Sequence, residues 1–279
     1  MEKVKVGIQL YSLRDEMAKD MDATLKKVAE AGYTDVEFAG FFDKEAEEVK
    51  DILDKYSLTA RSVHQKIDPY LEKDSAKELI AYLKKIGVTD SIIPWYDPKA
   101  FEDLDLFKDM IKKFTEVGKI LADNGMTLGY HNHNFEFFHK FGSSWALDAM
   151  YNEISADYLL TELDLCWVKY GAQDPVEYLK KYAKRMNFVH FKDFTSKTFG
   201  GEVYALIDEK GKEIAPKNRD EDDFKFMPLG QGVQVWEPII AELKNTNAHT
   251  VIYEKDQWYD GDAIQEAVES RNFLKKLGL

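Results

Sequence analysis

Cysteine is nearly absent from this chain. Cys166 stands alone, so no disulfide can close within the chain, and a reducing compartment, by default the cytoplasm, is expected. Long apolar runs are missing as well: no stretch approaches the ~18 uninterrupted apolar residues that a membrane helix requires. The opening MEKVKVGIQLYS enters a strand-like run directly, without the basic stretch and apolar core of a signal peptide. Basic residues are outnumbered, 38 Lys and Arg against 51 Asp and Glu, for a formal net charge of −13. A surface of that sign repels polyanions. Neither nucleic acid nor a membrane is therefore an expected partner, whereas small neutral molecules and metal cations are not disfavoured. No G-x-G-x-x-G or Walker pattern occurs, which argues against an open doubly wound sheet with a phosphate loop. No low-complexity linker or short-period repeat divides the chain.

What is present is a rhythm. The chain has 279 residues, 44% hydrophobic and 32% charged, and short apolar runs alternate with amphipathic Lys/Glu-rich segments. Strands are expected at Val4–Leu10, Thr34–Phe38, Leu58–Val63, Ser91–Pro94, Met126–His131, Tyr158–Leu163, Asn187–Phe191 and Thr250–Tyr253. Helices are expected at Asp20–Ala31, Lys44–Tyr56, Asp74–Ile86, Leu104–Asn124, Trp145–Ile154, Pro175–Lys184, Val235–Lys244 and Ile264–Leu277. Leu25, Val28 and Ala29 share one helix face. Gly32, Gly87 and Gly125 follow helices as C-terminal glycines do. Pro175 stands in a first turn, where its missing N–H costs nothing. Repeated β-then-α units predict one α/β domain over residues 1–279, a (β/α)8 TIM barrel. Thr195–Met227 breaks the rhythm as a long insertion after strand seven. It carries Gly200–Gly201, a candidate hairpin (EVYALIDEKGKEI) and the acidic run Asp220–Asp223. Long connections in compact domains are functional or disordered, so this one reads as a solvated excursion, a lid over the barrel mouth or an oligomer contact.

In such a barrel the C-terminal strand ends build the active site, and here they are rich in polar residues. They carry Tyr11, Ser12 and Arg14, then Glu37, His64, Gln65 and Trp95, then His131, Asn132, His133 and Glu136. The later strands add Glu162, Asp164, His190, Lys192, Asp193, Glu254 and Asp256. Four of the six histidines lie there, with His139 and His249 the exceptions. Imidazoles and carboxylates converging from separate strands suit one divalent ion of the Mn, Zn, Co or Fe type; an all-oxygen set would suit Mg or Ca. Glu162 precedes Asp164 by two residues and faces the same side, as a ligand or as a deeper structural carboxylate. Lys192 and Asp193 are candidates to pair with each other. Trp95 and Trp258 are candidates to stack on a sugar face or to fill core. Cys166 reads as a small buried residue. Arg14 is the main cation near the mouth, with no phosphate cradle around it, so an unphosphorylated substrate is expected.

The segments GIQLYSLRD, GYTDVEFAG, LGYHNHNFEF, ELDLCWVKYGAQDP, VHFKD, PLGQG and VIYEKD span nearly the whole chain. Together they resemble the xylose isomerase-like TIM barrels, most of all the bacterial sugar phosphate isomerase/epimerase group, related to inosose dehydratase and ketose 3-epimerases. The resemblance implies one metal held from strands five to eight, with Asp164, His190 and Glu254 as three ligands. The fifth-strand position, a glutamate in the epimerases, holds His131 here, with Glu136 as the alternative ligand. It also implies Lewis-acid chemistry and proton removal beside a carbonyl. Glu254 is the expected base, with His133, Lys192 or His64 for the second proton transfer. Arg14, Glu37, His64, Trp95 and Glu136 are expected to contact a small sugar or polyol-like substrate.

Inversion in the epimerases rests on two glutamates on opposite faces, and His131 breaks that pair. Isomerisation or epimerisation of a ketose-like sugar leads. Dehydration or hydration of a keto-sugar or keto-inositol follows closely, and a non-catalytic sugar-binding protein is the remote alternative. Endonuclease IV also belongs to this superfamily, but the acidic balance and the shortage of further ligands argue against DNA. Many relatives are dimers or tetramers, which makes a homo-oligomer an expectation.

Overall fold

The computed structural model of the chain describes residues 4–200, 224–259 and 261–279. Its centre is a closed ring of parallel strands: β1 (Lys5–Gln9), β2 (Asp35–Phe38), β3 (Thr59–His64), β4 (Asp90–Ile93), β5 (Thr127–His131), β6 (Leu160–Asp164), β7 (Met186–Phe191) and β8 (Thr250–Tyr253). Each strand pairs with its neighbours in the chain, and β8 returns to β1. This is the (β/α)8 barrel that the sequence rhythm predicts. Ile92, Phe188 and Ile252 meet inside it from β4, β7 and β8. The outer helices bury one stripe each. Leu104–Asp123 turns Phe107, Met110, Phe114, Val117 and Leu121 inward, the three-and-four spacing of an amphipathic helix.

Local chemistry fixes the boundaries. Asp103 caps the long helix by accepting the N–H groups of Asp105 and Leu106. Gly32 ends Met21–Ala31 at a φ of 96°, a left-handed conformation that glycine adopts without a Cβ clash. β4 stops at Ile93, one residue short of the expected end, because Pro94 has no N–H for the ladder. The helix beginning at Pro175 ends at Lys181, short of Lys184; Tyr182 there turns its hydroxyl to buried Asp148.

Several short elements escaped the sequence reading, the helices Arg14–Lys19 and Asp68–Leu71 among them. Another is the short helix Leu165–Tyr170, entered straight from β6 and capped by Asp164, which accepts the Trp167 N–H at 2.9 Å. So are two two-stranded ribbons, Lys140–Phe141 with Ser144–Trp145 and Asp193–Thr195 with Lys225–Met227. The second ribbon joins the two ends of the insertion. The candidate hairpin and the run Asp220–Asp223 lie outside the described residues.

Asp193 anchors that ribbon and does not pair with Lys192 as expected. Its carboxylate accepts the backbone N–H groups of Phe194, Gly230, Gly232 and Gln234 and the indole N–H of Trp236, at 2.9–3.2 Å. A Cβ on Gly232 would stand 2.1 Å from Asp193 Oδ1, so the PLGQG loop needs glycine there. No helix among the described residues is long and apolar enough to cross a membrane.

Candidate active site

Strand register assembles the site. Gln9 lies beside Glu37, His131 beside Glu162, and Asp164 beside His190. Glu254 follows the last residue of β8. Strand side chains alternate, so Glu162 and Asp164 project to one side, as do His190 and Lys192. All of these side chains are buried.

Two overlapping groups result. In the outer one, His131, Asp164, His190 and Glu254 bring one ligand atom each within 4.8 Å of one another. His190 Nδ1 lies 2.9 Å from Glu254 Oε2. His131 Nε2 lies 3.6 Å from Asp164 Oδ2 and 4.0 Å from Glu254 Oε2. In the inner group, His64, His131 and His190 converge on Glu162 Oε2 at 2.8, 3.1 and 3.1 Å. Below it, Glu37 Oε1 takes hydrogen bonds from Gln9 Nε2 at 2.7 Å and His190 Nε2 at 2.9 Å, and Ser62 donates to Oε2. His64 Nε2 also lies 3.0 Å from Glu37 Oε1.

Charge follows geometry. Burial opposes ionisation of Glu37, but His64 and His190 outweigh it and hold the carboxyl well below its usual range. Burial likewise opposes a charge on His64, yet Glu37 and Glu162 push it up to about 10. His131 sits deep beside other cationic groups and is held well below the usual histidine range, hence neutral.

Lys192 enters from β7. Its Nζ lies 2.9 Å from Glu254 Oε2, 3.2 Å from Asp164 Oδ2 and 2.9 Å from Asp256 Oδ1. Burial works against its charge, but Asp164, Asp256 and Glu254 keep it protonated. Burial also opposes the charge on Glu254, which Lys192 and His190 hold below its ordinary range. The site thus sets an ionised carboxylate against an ammonium.

The remaining candidates separate. His133 is neutral, its pKa lowered to about 3 by burial and by Lys192. Its ring lies in a run of rings, Phe135, His133, Trp167 and Phe224, with successive centroids 5.5 Å apart. His133 Nδ1 and Trp167 Nε1 are buried and have no protein partner among the described residues. Glu136 is not part of either group. Its carboxylate folds back on its own loop, accepting the His133 N–H at 2.9 Å and the Tyr130 hydroxyl at 2.7 Å. Arg14 spreads over the Tyr11 and Trp258 rings and donates to the Asp256 carbonyl at 3.0 Å. Trp95 is 41% exposed and joins neither group. Sequence reasoning did not single out Gln9, Ser62 or Trp167 as site neighbours. The first two sit within strands, where only the register shows which carboxylate they meet.

The outer group fits a divalent cation on its own chemistry. It offers two imidazole nitrogens and two carboxylates, a set that suits Zn, Mn, Co or Fe. Asp164 Oδ2 is buried and makes no hydrogen bond; Lys192 is within ion-pair reach but not aligned to donate. The opposite nitrogens of both histidines meet a carboxylate, as the second shell of a metal site requires.

Comparison with known proteins agrees with this architecture. A match to the xylose isomerase-like TIM barrel family extends over residues 25–277. An inosose dehydratase of Clostridium botulinum (strain Alaska E43 / Type E3) is 23% identical, with 99% of this chain and 97% of that protein aligned. The fold is shared with a sugar phosphate isomerase/epimerase from Parabacteroides distasonis ATCC 8503, at a TM-score of 0.74, 22% identity and 98% coverage of both chains. It is shared too with the IOLI protein, whose crystal structure holds a zinc atom, at a TM-score of 0.70, 12% identity and coverage of 98% and 97%.

Proposed function

The chain belongs to the xylose isomerase-like TIM barrel family, and we propose that it is a metal-dependent sugar-modifying enzyme that removes a proton beside the carbonyl of a small, uncharged polyhydroxy ketone and expels a neighbouring hydroxyl as water. The observation that carries this reading is the pairing of Glu254 with Lys192 at 2.9 Å, opposite a strand-five position filled by His131. One carboxylate base and one ammonium acid suit elimination. Two carboxylate bases would suit epimerisation, and the second is missing.

His131, Asp164, His190 and Glu254 would hold the ion. A divalent ion there supplies Lewis-acid polarisation of the carbonyl. Glu254, ionised, accepts the proton from the adjacent carbon. Lys192, kept charged and in place by Asp256, donates a proton to the departing hydroxyl. Burial excludes water from both groups. The buried carboxylates of Glu37, Glu162, Asp164, Glu254 and Asp256 disfavour a phosphate, and Arg14 is engaged with its own neighbours. The relatives named inosose dehydratase support a keto-inositol as the substrate class.

Epimerisation or isomerisation, the leading expectation from sequence, is the second reading. It is favoured by His133, a neutral imidazole whose ring lies 5.3 Å from that of His131 and could return a proton. Incubation of metal-loaded protein with 2-keto-myo-inositol in D2O, followed by NMR, separates the two. Elimination gives a dehydrated product. Epimerisation gives deuterium at the carbon beside the carbonyl without loss of water. Neither change with this ketone or with D-fructose defeats both readings.

A further inference from the structure

Two groups of side chains could each hold a cation, and they share His131 and His190. They do not share the same nitrogens. Facing the outer group are His131 Nε2 and His190 Nδ1. Facing the inner group are His131 Nδ1 and His190 Nε2, both on Glu162 Oε2 at 3.1 Å. A neutral imidazole carries a proton on one nitrogen and a lone pair on the other. Whichever side receives the N–H leaves the ion to the opposite side.

The inner oxygens that face the imidazoles already have donors; Glu162 Oε1, the other oxygen of that carboxylate, is buried without one. Glu162 Oε2 faces three imidazole nitrogens, with His64 the nearest at 2.8 Å. Glu37 is filled by Gln9, Ser62, His64 and His190. The outer group is the reverse case, because Asp164 Oδ2 has no hydrogen bond. The Glu162 oxygen that the imidazoles face is thus a hydrogen-bond acceptor, while Asp164 Oδ2, the oxygen that faces His131 Nε2 on the outer side, has no hydrogen bond and is free to take a cation.

We infer that Glu162 is a positioning residue: its Oε2 draws the N–H of His131 from Nδ1, while Glu37 Oε1 takes that of His190 from Nε2, so that the two histidines present opposite nitrogens, Nε2 and Nδ1, to one ion in the outer group. The inner cluster is then a hydrogen-bonded hub and not a second cation site. This rests on the outer group being the metal centre. It goes further in giving Glu162, two residues before a ligand on the same strand face, the task of setting the tautomer of the strand-five ligand His131. Second-shell carboxylates of this kind typically change metal affinity by about 10–100-fold when removed.

The test is NMR of 15N-histidine-labelled protein loaded with 113Cd. The inference expects cadmium–nitrogen coupling at His131 Nε2 and His190 Nδ1 and none at His64. In metal-free protein it expects His131 as the Nδ1–H tautomer. Glu162→Gln should lose that tautomer signature and bind Cd about 10–100-fold more weakly in competition with a chelator, and Glu162→Asp should recover part of the affinity. Coupling at His131 Nδ1, His190 Nε2 or His64 overturns the inference and places the ion in the inner group. So does an unchanged affinity in Glu162→Gln. If cadmium does not bind at all, the metal reading falls, and a metal-free spectrum with His131 protonated at Nε2 removes the positioning role as well. The expected couplings without turnover of any ketone would leave Glu162 in this role and sink only the proposed reaction.

Discussion

Lys192 Nζ bridges two carboxylates at the end of one strand, 2.9 Å from Glu254 Oε2 and 2.9 Å from Asp256 Oδ1. The acid and the base of the proposed reaction are thus neighbours before any substrate arrives. Lys192→Met should lower kcat by about 10²–10⁴-fold, the usual worth of a positioned proton donor. Metal affinity measured by chelator competition should change only a few-fold. A comparable loss of both would recast Lys192 as a support for the metal ligands. Lys192→Arg should not restore turnover, because a guanidinium does not give up its proton.

Removal of the ion should abolish turnover, and readdition of Mn, Co, Zn or Fe should restore it. Asp164→Asn removes an anionic ligand whose Oδ2 makes no hydrogen bond and keeps an amide oxygen to cap the Trp167 N–H, so it should weaken the ion far more than it weakens the apoprotein. At an ion concentration of about 1,000 Kd, binding adds about 4 kcal/mol to the wild-type fold. A thermal scan with and without ion should show a clear rise in Tm for wild type and little for Asp164→Asn.

Burial raises Glu136 to about 7 against the opposing hydrogen bonds of His133 and Tyr130. The ordinary value for a glutamate is 4.5, so between those two values the folded chain holds a proton that the unfolded chain has released. Stability should fall as pH rises through that window. The favourable contribution is complete below the unfolded pKa and is lost as pH passes through the folded one. Denaturant melts from pH 5 to pH 8 should slope downward for wild type and be flatter for Glu136→Gln. Parallel slopes would mean that another group sets the pH dependence.

Asp193→Ala removes the acceptor of five N–H donors. Buried donors left without partners cost about 1–3 kcal/mol each, and relaxation will recover part of that. A loss of at least ~3 kcal/mol in a urea melt is expected. A loss below ~1 kcal/mol would show that the ribbon and the PLGQG loop hold together without this carboxylate.

The barrel was legible because each β-then-α unit repeats the same two hydrophobic periods. The metal candidates were legible for a related reason: Asp164, His190 and Glu254 all stand at strand ends, where a barrel places its chemistry. What stayed hidden depends on register. Nothing in a linear reading says that His131 lies beside Glu162 or that Gln9 meets Glu37. Lys192 and Asp193 were adjacent candidates for one pair, yet successive strand residues point to opposite faces. One therefore enters the site while the other pins a loop. Glu136, read as a ligand alternative, stands in a short turn that folds its carboxylate onto the backbone of His133. The helix Leu165–Tyr170 was missed because six residues are too few to show a period.

Anomalous diffraction from crystals loaded with Mn or Zn tests the central claim most directly. The account predicts one strong peak within bonding distance of His131, Asp164, His190 and Glu254, with Glu162 behind the two histidines and out of the coordination sphere. A peak on Glu162 and His64, a peak on Glu136, or an intact barrel with no peak would contradict it.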